Sequence, residues 1–179
     1  MQLKGERILL RMLADSDISA LMAICNDPDL HHFTRIPYPY TRRDAAWFID
    51  HAKKEKRTGR ELHCGIIFEN KLIGMIGIHN LVVKDKRTEI GYFIAKVYRG
   101  KGFATEAVYT FLDFLFASSE CNRIEIVCSV KNLPSQKVIE NVGAEFEGIA
   151  RERCIANGIA HDVRQYSILR KEYLKKRKS

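Results

Sequence analysis

The sequence predicts an α/β (α+β) fold with a mixed, mostly antiparallel central sheet of about seven strands flanked by about four helices. Strand-like and helix-like runs alternate in the order β-α-α-β-β-β-α-β-α-β-β. Three β-type runs in the middle are joined by tight turns alone, which implies an antiparallel meander. A single strand–helix–strand unit follows, which implies one parallel crossover.

Glu6 to Met12 reads as the first strand. Asp15 caps a helix from about Ser16 to Cys25, where Ile18, Leu21, Met22 and Cys25 recur at helical spacing. His31 to Tyr40 carries aromatics with Pro37 and Pro39, so a loop is expected there. Thr41 opens a second helix with Asp44 in a capping box, and Gly59 ends it. Ala45, Phe48, Ile49 and Ala52 line its apolar face, and Trp47 is expected in the core as well. The meander comprises Glu61 to Glu69, Lys71 to Asn80 and Thr88 to Ala95. An amphipathic helix through Ala104, Ala107, Val108, Phe111, Leu112 and Leu115 comes next. Arg123 to Ser129 is a strand, and Pro134 to Asn141 a helix stopped by Gly143. A hairpin of Ala144 to Cys154 and Ile159 to Leu169, turning at Asn157-Gly158, closes the order.

The 179 residues suit a single domain, 1–179, with a short basic tail from about 174 to 179. No run approaches the roughly 20 apolar residues that span a bilayer. The polar start Met1 to Arg7 lacks a signal-peptide core, so cytoplasmic residence is expected. Five scattered cysteines form no Cys-x-x-Cys pair, which argues for structural thiols rather than a zinc or redox site. The six histidines show no metal or catalytic spacing, and no metal is expected. Residues 170–179 hold six basic groups against one acid, which accounts for five of the eight net positive charges. Such a tail reads first as a solvated terminus and second as a loose anchor for anionic partners.

Chemistry concentrates in Arg99-Gly100-Lys101-Gly102-Phe103-Ala104-Thr105, between a strand and a helix N-terminus. The first helical turn leaves about four N–H groups unpartnered, and the macrodipole adds partial positive charge. Glycines let a phosphate approach that backbone, and Arg99 and Lys101 add charge, so the segment reads as a diphosphate cradle. The Walker spacing is absent, and Thr105 stands where a dinucleotide fingerprint needs its third glycine.

Arg99-Gly100-Lys101-Gly102-Phe103-Ala104 resembles the Arg/Gln-x-x-Gly-x-Gly/Ala signature of the GNAT acetyltransferases. Glu89-Ile90-Gly91-Tyr92, Thr105-Glu106-Ala107, Asn132-x-x-Ser135, Asn141-Val142-Gly143-Ala144 and Tyr166-Ser167-Ile168-Leu169 are similar to the ribosomal-protein (RimJ/RimL-like) N-terminal acetyltransferase branch. The resemblance implies acetyl-CoA as cofactor and acetyl transfer to a primary amine. Phe93, Ile94, Ala95 and Val97 match the splayed strand beside the pantetheine, where an N–H near Ile94 or Ala95 would polarise the thioester. Arg99 to Thr105 would grip the pyrophosphate, with Asn132, Lys137 and Asn141 as further cofactor contacts. Glu89 matches a carboxylate near the acceptor that takes its proton directly or through water; its bland alternative is a surface acid paired with Lys86 or Arg87. Ser135 stands where the branch keeps the acid for the departing thiolate, since Ile139 replaces the tyrosine of other members; its alternative is helix capping.

The acceptor cleft is expected between the 31–40 loop, with Phe33, Tyr38 and Tyr40 as walls, and the turn Cys154 to Asp162. The expected partners are a protein or peptide N-terminus, a ribosomal protein first, or a small amine such as a polyamine or aminoglycoside. A ribosome contact and a homodimer are further expectations; a membrane and specific DNA are not. A rival reading is a non-catalytic acetyl-CoA-binding protein that docks on RNA through its tail.

Overall fold

The computed structural model describes residues 1–177. Eight strands form one sheet in the order β1-β2-β3-β4-β5-β6-β8-β7. They are β1 (Gln2–Lys4), β2 (Leu9–Arg11), β3 (Leu62–Phe68), β4 (Lys71–Val82), β5 (Arg87–Ile94), β6 (Arg123–Ser129), β7 (Glu145–Ala156) and β8 (Ile159–Leu169). Every neighbouring pair is antiparallel except β5 and β6, which the helix α4 (Phe103–Ser118) connects. The remaining helices are α1 (Ile18–Cys25), α2 (Pro28–Phe33), α3 (Arg42–Thr58), α5 (Leu133–Asn141) and α6 (Arg170–Lys176).

Local chemistry sets these bounds. The Thr41 hydroxyl accepts the Asp44 N–H while the Asp44 carboxylate accepts the Thr41 N–H, which starts α3. Gly59 ends it at φ 71°. The alternation of each strand divides the apolar residues between two cores. One joins Ile66, Ile76, Ile90, Ile94, Ile124 and Ile126 to the inner face of α4, with Phe111 and Leu112 fully buried. The other packs Ile67, Leu72 and Met75 against α1 and α3.

The sheet has one strand more than expected and the fold two helices more. Glu6 to Met12 is not one strand: the chain turns at Gly5, whose N–H donates to the Ile8 carbonyl, making a hairpin of β1 and β2. The Glu106 carboxylate fixes that turn by accepting the Arg7 and Ile8 N–H groups at 2.6 and 3.1 Å. The helix α2 occupies the start of the expected 31–40 loop, capped by Asp27 with Pro28 in its first turn.

The start of the basic tail is likewise a packed helix. Tyr173 of α6 is buried and donates to Asp113, Arg170 reaches the Phe116, Ser119 and Cys121 carbonyls, and Arg177 pairs with Asp113. The expected tail's last two residues, Lys178 and Ser179, lie outside the described residues.

Two aromatic expectations exchange places. Trp47 is 64% exposed and stacks on His51 rather than joining the core. Tyr40, expected at the acceptor cleft, is buried in the α1–α3 core, and its N–H and C=O are both held by the Asn26 amide. Tyr40→Ala should therefore cost about 3–5 kcal/mol of stability, and Trp47→Ala no more than about 0.5 kcal/mol. Urea unfolding of the two variants checks the contrast.

Candidate functional site

The β5–β6 ladder is short. Pairing runs from Arg87↔Arg123 to Ile90↔Ile126 and stops, although β5 continues to Ile94 and β6 to Ser129. Past Ile90, β5 stays paired with β4, and β6 with β8, so the two strands part within the sheet. The Ala95 N–H donates to the Ile73 carbonyl. Antiparallel alternation then turns the backbone groups of Phe93 and Gly91 toward β4, and those of Tyr92 and Ile94 into the gap. Of the two N–H groups expected to face a thioester, Ala95 is thus already committed. Ile94 is the one that faces the gap. Val97 is not strand either: it lies 72% exposed on a 3-10 turn.

The segment Gly100 to Thr105 lies just beyond this gap, at the N-terminus of α4. Gly100 and Gly102 adopt φ values of 73° and 82°, a backbone that side chains disfavour. Gly102 is the N-cap residue, and no side chain caps the helix. Among the described residues, none of the six N–H groups from Gly100 to Thr105 has a protein acceptor. Phe103 anchors the segment by packing on Phe68 at 4.7 Å, and Ala104 packs on the same core. Lys101 is exposed, with its ammonium 5.6 Å from the Tyr98 ring.

Arg99 does not lend its charge to this cradle. Its guanidinium turns back onto Asp27 and Asp29, and its Nε donates to the Ile94 carbonyl. Arg7, which the sequence reading passed over, stands in its place. It stacks 4.6 Å from the Phe103 centroid, pairs with Glu106 and donates to the Lys101 carbonyl. An open cleft of about 870 Å³ continues outward between Arg7, Gly102, Thr105, Tyr109 and Asn141.

Ser135 sits across the gap on α5. Its Oγ is 3.1 Å from the Tyr92 hydroxyl, so it is not the cap of α5. Asn132 is: its Oδ1 accepts the Ser135 N–H at 3.2 Å. Burial pushes the Tyr92 phenol above its ordinary range, against the opposing hydrogen bond to Ser135. The hydroxyl pair therefore stays protonated at neutral pH. Lys137 lies exposed on the same helix.

Glu89 is buried, and neither Lys86 nor Arg87 is its partner. Lys86 pairs with Glu120, and Arg87 with Asp85 and Glu125. The Glu89 carboxylate instead meets His79 Nε2 at 3.1 Å, Asn80 Nδ2 at 3.2 Å and Arg153 Nη2 at 3.3 Å. Burial works to raise this carboxyl, but His79, Asn80 and Arg153 together outweigh it and hold the group below its ordinary value. An interruption of the β4–β5 ladder between His79 and Val82, with Asn80 at φ 53°, accompanies the Asn80 contact.

The sheet beside Glu89 carries two glycines on which histidine rings rest. Gly77 and Gly91 pair directly across β4 and β5. A Cβ on Gly77 would stand 2.4 Å from His63 Nδ1, and one on Gly91 3.0 Å from His79 Cε1. The 31–40 segment and the β7–β8 turn do come together here, since Arg35 donates to the Ile155 carbonyl and Asn157 to the His31 carbonyl. Tyr38 is half exposed against His31, and Phe33 packs edge-on to His32. His79, Asn80 and Arg153 had escaped the sequence reading. The signal for His79 was present, because the register of the predicted meander sets it opposite Glu89. Arg153 gave none, arriving from β7 across 64 residues.

The family model described as "Acetyltransferase (GNAT) domain" matches residues 7–145. The "Putative ribosomal N-acetyltransferase YdaF" of Bacillus subtilis (strain 168) is 38% identical over 112 residues, which are 63% of this chain and 61% of that protein. The "Uncharacterized N-acetyltransferase p20" of Bacillus licheniformis is 32% identical over 174 residues, covering 94% of this chain and 96% of its own. Among solved structures, one described as a "Probable acetyltransferase" superimposes with a TM-score of 0.87 at 31% identity, covering 96% of this chain and 98% of that one.

The lowered Glu89 carboxyl has a consequence for acid stability. A depressed folded-state value stabilises the fold fully above the unfolded value, near 4.5, and this is lost as pH falls through the folded value. Glu89→Gln should therefore be less stable than wild type at neutral pH, with the gap closing toward about pH 3. Urea midpoints at the two pH values decide it; a gap independent of pH would refute the assignment.

Proposed function

The chain belongs to the GNAT family of acetyl-CoA-dependent N-acetyltransferases, and we propose that its acceptor is the N-terminal α-amine of a protein, with ribosomal proteins first among them. The observation that carries the cofactor site is the run of six unpartnered N–H groups from Gly100 to Thr105 at the head of α4. A pyrophosphate fits that run, because its oxygens accept hydrogen bonds and a helix N-terminus favours negative charge. The backbone of Tyr92 would hold a pantetheine amide, and Thr105 and Asn141 the part lying in the outer cleft.

Acetyl-CoA supplies an activated acetyl thioester at the gap. The Ile94 N–H is the donor for charge building on the acetyl oxygen, an effect worth a few kcal/mol in acyl transfer. The Tyr92–Ser135 hydroxyl pair supplies a proton to the departing sulfur from the α5 side. The acceptor enters beside the half-exposed His79 ring, which rests on Gly91. The resemblance to YdaF supports a ribosomal acceptor, and with it work in the cytoplasm.

Three measurements test this reading. Gly102→Glu should abolish acetyl-CoA binding by calorimetry, whereas Gly59→Glu, at a similar positive φ with open surroundings, should leave it unchanged. Ser135→Ala should lower kcat roughly 100-fold with acetyl-CoA affinity retained. Equal turnover would remove Ser135 from the chemistry. A panel of N-terminal peptides, polyamines and aminoglycosides decides the acceptor, and turnover confined to the small amines would overturn the peptide assignment.

A further inference from the structure

We propose that His79 is the group that takes the proton from the acceptor amine, and that Glu89 is its positioning residue. The inference rests on the acetyl-transfer reading above and assigns a step within it. Four observations carry it.

The first is access. The His79 side chain is 36% exposed and that of Glu89 only 8%, so an arriving amine meets the imidazole before the carboxylate. The second is occupancy. Both Glu89 oxygens are already engaged, Oε1 by His79 and Oε2 by Asn80 and Arg153. A carboxylate held by three donors, one of them a guanidinium, has little call for a further proton.

The third is orientation. Glu89 Oε1 lies 3.1 Å from His79 Nε2, and a carboxylate there selects the tautomer with hydrogen on Nε2. The lone pair then resides on Nδ1. The fourth is position. His79 lies over Gly91, with Cε1 at 3.0 Å and Nδ1 at 3.8 Å from where a Cβ would stand. The basic nitrogen therefore lies above Gly91, on the strand that runs on to Tyr92 and Ile94 at the gap.

The charged neighbours of this pair are identified. Glu89 faces His79 from β5 and Arg153 reaches the same carboxylate from β7. Glu61 precedes β3 on the other side of β4, with His63 at 2.7 Å and His51 of α3 at 3.7 Å. Arg60, at the end of α3, is taken up by Glu55.

The step balances without any added reactant. The acceptor nitrogen forms its bond to the acetyl carbon and gives a proton to His79 Nδ1, creating an imidazolium that the Glu89 carboxylate stabilises. The carbon–sulfur bond breaks with its electron pair on sulfur, and sulfur takes a proton from the Tyr92–Ser135 pair. Solvent then returns the imidazolium proton to that pair, and the products are the amide and the free thiol.

The kinetic test compares His79→Gln, His79→Asn and Glu89→Gln, using acetyl-CoA and a short peptide with a free N-terminal amine. Thermal midpoints and acetyl-CoA affinity first establish that each variant is folded. Both His79 variants should lose about 100-fold in kcat/KM together with the acid limb of its pH profile. Glu89→Gln should keep that limb while lowering kcat/KM by less than the His79 variants do, because the imidazole loses only the group that orients it. A His79→Gln profile that retains the limb, with Glu89→Gln abolishing it, would overturn the assignment and make Glu89 the acceptor of the proton.

Nitrogen NMR of the His79 ring needs no acceptor. The Nε2–H tautomer in wild type, lost in Glu89→Gln, supports the proposal; the Nδ1–H tautomer in wild type refutes it. If wild type acetylates no peptide amine, the acceptor reading fails, and the NMR result still decides the His79–Glu89 arrangement.

Discussion

Everything at this site depends on where β5 and β6 stop pairing. A parting inside a sheet leaves backbone donors and acceptors facing a gap, and such groups must find partners. Here the separation begins after Ile90 and Ile126 and presents Tyr92 and Ile94 to the opening. An extended ligand with hydrogen-bonding groups along it can satisfy the Tyr92 groups and the Ile94 N–H, the Ile94 carbonyl being held by Arg99. The same parallel pair requires a crossover helix, and that requirement sets the N-terminus of α4 at the end of the gap. The unpartnered N–H run of Gly100 to Thr105 and the open backbone edge of β5 are thus two results of one topological choice.

The two-residue period of β5 then keeps the two halves of the chemistry apart. Tyr92 points to the α4–α5 side, where it meets Ser135, while Glu89 and Gly91 belong to the opposite face with His79. Donor-side and acceptor-side groups lie on adjacent residues of one strand and cannot touch one another. The acetyl group would sit at the edge that separates them. Tyr173, Arg170 and the N-terminal hairpin hold α4 from outside, so the cradle stands on a helix fixed along its length.

Most of the fold was legible because it rests on local signals. The Thr41–Asp44 box, the asparagine–glycine turn and the 3.6-residue spacing of α4 each declare themselves over a few positions. What escaped was short or distant. Three-residue strands such as β1 have too few alternations to show a period, and α6 reads as a charged tail until Tyr173 is seen packed beneath α4. The cradle segment was legible from spacing, but the fate of its charges was not. Arg99 looks like a phosphate ligand in sequence, and only the fold brings Asp27 to it across 72 residues. Trp47 misled for a related reason: an apolar type suggests the core, but it stands two residues from Ala45 and Ile49, on the opposite, solvent face of α3.

The neutralisation of Arg99 by Asp27, and of Lys96 by Asp29, bears on how the loop chooses its ligand. In the proposed cofactor site, recognition would rest on six fixed N–H dipoles, with Lys101 as a nearby cation and Arg7 paired to Glu106. Free charges attract any polyanion and are screened within about 8 Å at physiological ionic strength. Dipoles at hydrogen-bond distance are short-ranged and directional, so the match of oxygen spacing to backbone spacing decides who stays. Under the proposed cofactor reading, such a loop would tolerate salt and select a pyrophosphate by shape rather than by attraction.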